Sequence, residues 1–159
     1  MTFDSVGGAP RESARNLALM NYGLLFAAFF FAGVPALVAV IVAYTQRDSA
    51  AEPGRSHFTF QIRCFWVSFA LALLAGVCGL AAVVHVVASL YGVANTLGWD
   101  GFDKMEVVIG QVAIDASLLF MIVGAVALAF LSGLFLIGAS VIGAIRLASD
   151  QGMGKSRTP

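Results

Sequence analysis

Charged residues are scarce in this chain. Only 11% of its 159 residues are Asp, Glu, Lys or Arg, whereas soluble domains contain about 25%. The nine acidic and nine basic side chains cancel, so neither a nucleic-acid surface nor an acidic substrate is indicated. A water-soluble fold of this size cannot easily cover itself with so few charges. The composition therefore predicts an integral membrane protein whose first partner is the lipid bilayer.

Cysteine and histidine are also rare, with two of each. Cys64 and Cys78 lie on one predicted helix roughly 21 Å apart, too far for a disulfide. His57 and His85 are distant in sequence, and no Cys, His or acidic residues have the spacing of metal ligands. A Gly-rich phosphate loop and a convincing nucleophile with its base are missing as well. We therefore expect no metal, no cofactor, no catalytic residues and no enzymatic activity.

Long apolar stretches dominate what is present, since 60% of the residues are hydrophobic. We predict a polar N-terminal segment (1–16), a transmembrane helical domain (17–147) and a polar, disordered C-terminal tail (148–159). The domain contains three apolar blocks, at about 17–44, 58–93 and 106–147. Because a bilayer core of about 30 Å needs about 20 helical residues, the second and third blocks each span once. The predicted fold is all-α, an integral membrane helical bundle of three long apolar blocks.

The first block allows two structures, because Gly33 and Pro35 interrupt its 28 uncharged residues. As a single helix the block would be about 42 Å long and would need a tilt or a kink. Alternatively, Gly33 and Pro35 mark a turn between two short helices. Such a hairpin would enter and leave the membrane on the same face.

The positions of the basic residues favour the hairpin. Three full crossings would divide the nine Lys and Arg residues three against six, whereas a hairpin places eight on one side and only Lys104 on the other. The second division fits the positive-inside rule better and predicts that both termini are cytoplasmic. Its weakness is that a turn at membrane depth must have its backbone groups shielded by other helices.

The densest polar patch is the start of the second block. Read as a helix, residues 56–69 present an apolar stripe beside a more polar one that contains His57 and Gln61. One interpretation is an interfacial entry turn in which Arg63 extends to lipid phosphates. The other is that His57, Gln61 and Arg63 line a polar cavity against the Pro35 turn and bind a lipid headgroup or a peptide of a partner.

His85 and Asp115 are the ionisable residues nearest the inside of the apolar blocks. Each lies fifteen residues from Asp100, so an antiparallel hairpin would place them at similar depth and in contact. Such a pair could relay a proton or gate a pathway, or it could be a structural clasp.

Small residues recur at four-residue spacing, for example Ala72/Gly76 and Ala75/Gly79 in the second block and Ala139/Gly143 in the third. Stripes of this kind let membrane helices approach closely. Packing within the chain accounts for most of them, and a homo-oligomer face is the alternative.

Several motifs follow one another along the chain. They are Gly33-Val34-Pro35, Ile41-Val42-Ala43-Tyr44, Ser56-His57-Phe58 with Gln61-Ile62-Arg63 and Phe65-Trp66, and the ending Gly143-Ala144-Ile145-Arg146-Leu147. Their order resembles a family of small bacterial membrane proteins with no established activity, which is distantly similar to the twenty-kilodalton subunit of the chloroplast inner-envelope import translocon. The resemblance covers residues 17–152, although the Trp-Arg that often precedes the family's C-terminal ending is missing. It implies a multi-pass α-helical protein of the bacterial inner membrane.

Three functions can be weighed from these features. The first is a non-enzymatic scaffold, assembly factor or accessory subunit that contacts a larger membrane-protein partner. The second is a small oligomeric carrier or channel that uses His57, Gln61, Arg63, His85 and Asp115. The third, a lipid-modifying enzyme, is the least supported because a catalytic set is lacking. We expect the first.

Overall fold

The computed structural model describes residues 8–50, 52, 54–97, 115–149 and 151–153. Every regular element in these ranges is an α-helix, as predicted. The four helices are α1 (Gly8–Ala27), α2 (Val34–Arg47), α3 (Gly54–Leu97) and α4 (Ala116–Ala148). The chain divides into two compact units: a terminal unit (Met1–Ala70 and Ser132–Pro159) and a middle unit (Leu71–Leu131).

The first apolar block forms two helices, not one. The chain turns between α1 and α2, with Ala32 at φ 50° and Gly33 at φ 82°. Gly33 supplies the left-handed conformation at low cost, and Pro35 lies in the first turn of α2, where its missing N–H is not needed. The turn therefore comes slightly earlier than one centred on Pro35. Asn21 of α1 donates to the carbonyl of Ala39 in α2 at 2.9 Å, which shows that α2 returns along α1.

The core of the terminal unit joins α1 and α2 to the start of α3 and the end of α4. Its fully buried apolar side chains include Ala18, Ala39, Phe58 and Leu147. Glycines in α4 permit the closest approach: a Cβ at Gly143 would overlap the Tyr22 ring, and one at Gly133 would lie 2.5 Å from Phe29 Cε2. Small residues thus allow α1 and its turn to pack directly on the α4 backbone.

The middle unit contains the later part of α3 and the first part of α4. The two helices approach through small residues, with a Cβ built at Gly79 lying 3.9 Å from Ala125 Cβ. Among the described residues of this unit only Ala75, Ala82 and Leu118 are buried. Most large apolar side chains here face outward, and Phe120 is 78% exposed.

Two stretches are long and apolar enough to cross a membrane, Gly54–Val93 and Ala116–Ala148. Only 17% and 11% of their most apolar 18-residue segments are buried inside the protein. The core helix of a soluble protein is mostly buried, so the outward apolar surface of both helices is what a lipid-facing helix presents. The apolar helix α2 has only 14 residues and is too short to span by itself.

The predicted boundaries correspond to the helices only in part. α1 begins at Gly8, inside the segment 1–16 that was expected to precede the membrane domain. The sequence after the predicted second block is polar and predicts a short loop at 94–104, but residues 94–97 continue α3. Residues 98–114, which contain the rest of that predicted loop and the beginning of the third block, lie outside the described residues.

Candidate functional site

The polar stripe predicted on α3 faces the interior of the terminal unit. His57, Gln61, Cys64 and Ser68 are all buried, and His57 has no exposed surface. Their separations of four, three and four residues place them on one side of the helix. Phe58, Ile62 and Phe65 of the apolar stripe are buried as well, whereas Phe69 is exposed. The buried side of α3 is therefore wide and includes both stripes.

His57 uses both ring nitrogens within the protein. Its Nε2 lies 2.8 Å from the Gln151 carbonyl oxygen, and its Nδ1 lies 2.9 Å from the Tyr22 hydroxyl. Because a carbonyl oxygen can only accept, Nε2 carries the donated hydrogen, and in the neutral ring Nδ1 accepts from Tyr22. The Tyr22 and His57 rings also meet edge to face, with centroids 5.9 Å apart. His57 thus links α1, α3 and the segment after α4.

Gln61 makes the second set of contacts across these helices. Its Nε2 donates to the Ala18 carbonyl at 3.1 Å, and its Oε1 accepts from Asn21 Nδ2 at 2.7 Å. The same Asn21 nitrogen donates to the Ala39 carbonyl. We call Asn21, Tyr22, His57, Gln61 and the Gln151 carbonyl the polar cluster. Through these bonds the polar cluster connects α1, α2 and α3. All four of its side chains are buried.

One buried acceptor of the polar cluster has no hydrogen-bond partner among the described residues. Asn21 Oδ1 is buried and accepts no hydrogen bond from the residues that the structure describes. An unpaired buried acceptor typically costs about 1–3 kcal/mol. Tyr22 and Asn21 were not selected from the sequence, although a polar Asn inside an apolar block is a recognised sign of an interhelical contact.

The described part of the C-terminal tail contacts the beginning of α3. The Gln151 carbonyl accepts from His57, and the Met153 N–H donates to Ser56 Oγ at 3.3 Å. The expectation of a disordered tail from 148 to 159 did not anticipate these contacts. Residues 154–159 lie outside the described residues.

Arg63 is separated from the other two residues of the predicted polar cavity. It is exposed and lies on a different side of α3 from His57 and Gln61. The hydrogen bonds of His57 and Gln61 lead to α1 and Gln151 rather than to Gly33 or Pro35. The structure therefore unites His57 with Gln61 but does not bring Arg63 or the turn to them.

Arg63 instead belongs to an exposed group of aromatic and basic side chains. Trp66 Nε1 donates to the Tyr44 hydroxyl at 3.0 Å, and the Arg47 guanidinium carbon lies 6.0 Å from the Tyr44 ring centroid. Tyr44 and Trp66 are 45% and 52% exposed. Arg63 precedes Trp66 by three residues and therefore shares its helix face. We call Tyr44, Arg47, Arg63 and Trp66 the aromatic–arginine patch.

His85 and Asp115 approach each other in the middle unit, as their equal distance from residue 100 predicts. His85 Nε2 lies 3.5 Å from Asp115 Oδ1, and both side chains are partly exposed, by 29% and 49%. Asp115 also caps α4, since its Oδ1 accepts from the Leu118 N–H at 2.8 Å and its carboxylate accepts from the Ser117 hydroxyl. The Leu118 N–H and then the Ser117 hydroxyl lower the Asp115 pKa, and His85 contributes less. Capping is thus the main engagement of Asp115.

Packing within the chain uses several of the predicted small-residue stripes. Gly143 lies against Tyr22, and Gly79 lies near Ala125. Gly76 differs, because nothing lies within 4 Å of a Cβ built on it. The Ala72/Gly76 stripe is exposed.

No group of three or more His, Cys, Asp or Glu residues that could hold a metal ion occurs within the described ranges. Comparison with known proteins gives no match to a family model, to a curated protein or to a solved structure. The functional interpretation therefore depends on the geometry of the chain itself.

Proposed function

We propose that this protein is an integral protein of the bacterial inner membrane that acts as a non-enzymatic scaffold, assembly factor or accessory subunit of a larger membrane complex. One observation carries the proposal. The side chains of the polar cluster bond to one another and to backbone carbonyls, while large apolar side chains face outward along α3 and α4. Polar groups engaged in this way hold helices together, and an outward apolar surface serves lipid and protein contacts.

In this proposal α3 and α4 cross the bilayer, and α1 and α2 form a hairpin that enters and leaves on the cytoplasmic face. The apolar part of α1 that precedes the turn, residues 17–27, is about 17 Å long, roughly half of the hydrocarbon thickness. Phe30 and Phe31 at the turn are 64% and 66% exposed, as expected for side chains that contact acyl chains. Both termini are then cytoplasmic.

The backbone of the turn supports this placement. The N–H groups of Phe30, Phe31, Gly33 and Val34 all donate to carbonyls within residues 27–31. Exposed backbone polar groups are costly in hydrocarbon, and these bonds reduce that cost. The packing of Phe29 on Gly133 of α4 shields one side of the turn in addition.

An oligomeric carrier or channel is the second candidate, and the approach of His85 to Asp115 is the observation that favours it. The polar cluster gives less support to a carrier or channel, because His57 and Gln61 are already hydrogen-bonded within the protein. Arg63 belongs to a separate, exposed patch.

Site-specific photo-crosslinking in cells tests the proposal. A photoreactive residue at the outward-facing Phe120 or Leu80 should yield one crosslinked protein at fixed stoichiometry, identified by mass spectrometry after mild detergent extraction. A probe at Ser49, exposed between α2 and α3, controls for random collisions. Crosslinks to copies of this chain alone would favour the carrier. A monomer without any partner in several detergents would contradict the accessory role.

Thiol labelling tests the topology independently. In a background without Cys64 and Cys78, single cysteines replace Ser5 and Ser49 in turn. Both should react only with a reagent that reaches the cytoplasm. Labelling from opposite faces would exclude the hairpin and show that residues 17–44 cross the membrane.

A further inference from the structure

The aromatic–arginine patch differs from the polar cluster because it contains arginines and lies at the surface. Its rings and guanidinium groups lie at the protein surface, where an external molecule can reach them. Trp66 is also held in place, since its ring meets Phe65 and Phe69 edge to face with centroids 5.6 and 5.8 Å away. The patch is therefore both exposed and ordered by its own contacts.

The hydrogen-bonding groups of the patch suit an anion beside a hydrocarbon surface. The Tyr44 hydroxyl accepts from Trp66 Nε1 and still has its own hydrogen to donate. Arg63 on the same face offers a guanidinium, which binds phosphate oxygens through parallel N–H groups. Trp and Tyr prefer the level of lipid headgroups, where one end of each ring system is apolar and the other is wet.

We propose that the aromatic–arginine patch binds the headgroup of an anionic phospholipid. This inference rests on the membrane placement in the proposed function. Arg63 and the Tyr44 hydroxyl contact the phosphate, and the exposed faces of Trp66 and Phe69 contact the upper acyl chains. The lipid occupies the angle between the end of α2 and the first turns of α3.

The two arginines contribute unequally. Arg47 Nε and Nη2 already donate to the two carboxylate oxygens of Asp48, at 3.0 and 3.3 Å, so part of its charge is compensated. Arg55 at the start of α3 also acts on Asp48 and lowers the pKa of its carboxyl further, after the larger effect of Arg47. Asp48 thus balances the basic groups near the α2 end, and Arg63 is the main phosphate ligand.

Trp66 fluorescence measures the lipid that occupies the patch. In a Trp99→Phe background Trp66 is the single tryptophan. The protein is reconstituted in mixed vesicles in which either phosphatidylglycerol or phosphatidylcholine carries bromine near the top of its acyl chains. At equal mole fraction, brominated phosphatidylglycerol should quench Trp66 more strongly, corresponding to a roughly fivefold preference for each uncompensated arginine.

Arg63→Gln should remove most of this preference, and Tyr44→Phe should reduce it. Arg146→Gln is the matched control, because it removes the same charge from an exposed arginine at the end of α4. The carbonyl of Arg146 accepts from the N–H of Gln151, the residue that His57 contacts. His57 and Trp66 lie on opposite sides of α3. The control should keep the preference.

Three other outcomes would each overturn the inference. Only the third would also overturn the membrane placement on which the proposed function depends. Equal quenching by both lipids would exclude a headgroup site while leaving the membrane placement intact. Equal loss of preference in Arg63→Gln and Arg146→Gln would show a general effect of charge instead of a site. Absence of quenching by either lipid, with release of the protein by alkaline carbonate, would overturn the membrane placement itself.

Discussion

The terminal and middle units use polar side chains in opposite ways. In the terminal unit, hydrogen bonds from buried side chains join residues 18 to 94 positions apart in the sequence. In the middle unit the hydrogen bonds of Ser89 and Asp115 are local, to the carbonyl of His85 and to the first turn of α4. Its long-range polar contact, between His85 and Asp115 at 3.5 Å, joins two partly exposed side chains. The comparison indicates that long-range polar contacts determine helix arrangement in the terminal unit.

The difference matches the apolar packing of the two units. In the proposed membrane placement, hydrophobic side chains gain nothing by leaving lipid, so helix association depends on close backbone approach and on interhelical hydrogen bonds. The terminal unit has both, at Gly133, Gly143 and the polar cluster. The middle unit has close approach at Gly79 and Gly124, and its large side chains remain exposed. In that placement, the surface of the middle unit is the more available for lipid or for a partner.

The largest expected effect is a loss of stability of the terminal unit on substitution of Gly143. A Cβ there overlaps the Tyr22 ring, so Gly143→Ala should destabilise the protein by about 3 kcal/mol through overpacking. Gly138→Ala is the matched control in the same helix, because nothing lies within 4 Å of its Cβ position. Unfolding in detergent micelles measures both. In a Tyr22→Leu background the cost of Gly143→Ala should disappear, and a persistent cost would contradict the Tyr22 contact.

The prediction of intermediate size compares the loss of stability when one hydrogen-bonding side chain is removed from each unit. Gln61→Leu removes the bonds to Ala18 and Asn21 and should destabilise the protein by about 2 kcal/mol. Ser89→Ala in the middle unit removes only a bond to its own helix and should change stability little. The same unfolding measurement compares them. Similar losses for the two variants would show that long-range bonding does not distinguish the units.

The smallest effect concerns the start of α4. Asp115→Ala should speed amide hydrogen exchange at Leu118 several-fold, whereas Asp115→Asn, which can still cap, should change it less. The lowered pKa of Asp115 means that its stabilising contribution is present at neutral pH and is lost as the pH falls through that lowered value. If Asn and Ala were equally harmful, the charge facing His85 would matter more than the cap.

Much of this arrangement could be predicted from local sequence. The helical class, the break near Gly33 and Pro35, the polar stripe with His57 and Gln61, and the approach of His85 to Asp115 all follow from apolar runs, turn residues and spacing. These features depend on neighbours within a few turns, or on simple counting from a loop. The position of Arg63 on the exposed side also follows from helical periodicity, although the cavity hypothesis had grouped it with His57.

The partners of the polar stripe could not be predicted in the same way. Nothing in the sequence pairs His57 with Tyr22 and Gln151, or Trp66 with Tyr44, because each pair is joined only when separate elements pack at a particular crossing and depth. The Asp115 cap was missed for a related reason. The apolar run continues upstream of residue 115, so hydropathy does not show that Asp115 immediately precedes α4.

The sequence by itself determined that this chain forms long apolar helices with few charges, because composition and periodicity act through local backbone preference and solvent transfer. The sequence left two structures open for the first block, and only the tertiary structure decided that it folds back as two helices. The tertiary structure also decided that His57 and Gln61 of the α3 polar stripe contact α1 and the C-terminal segment. Those outcomes depend on which side chains meet across helices, and that is set by packing between residues far apart in the chain.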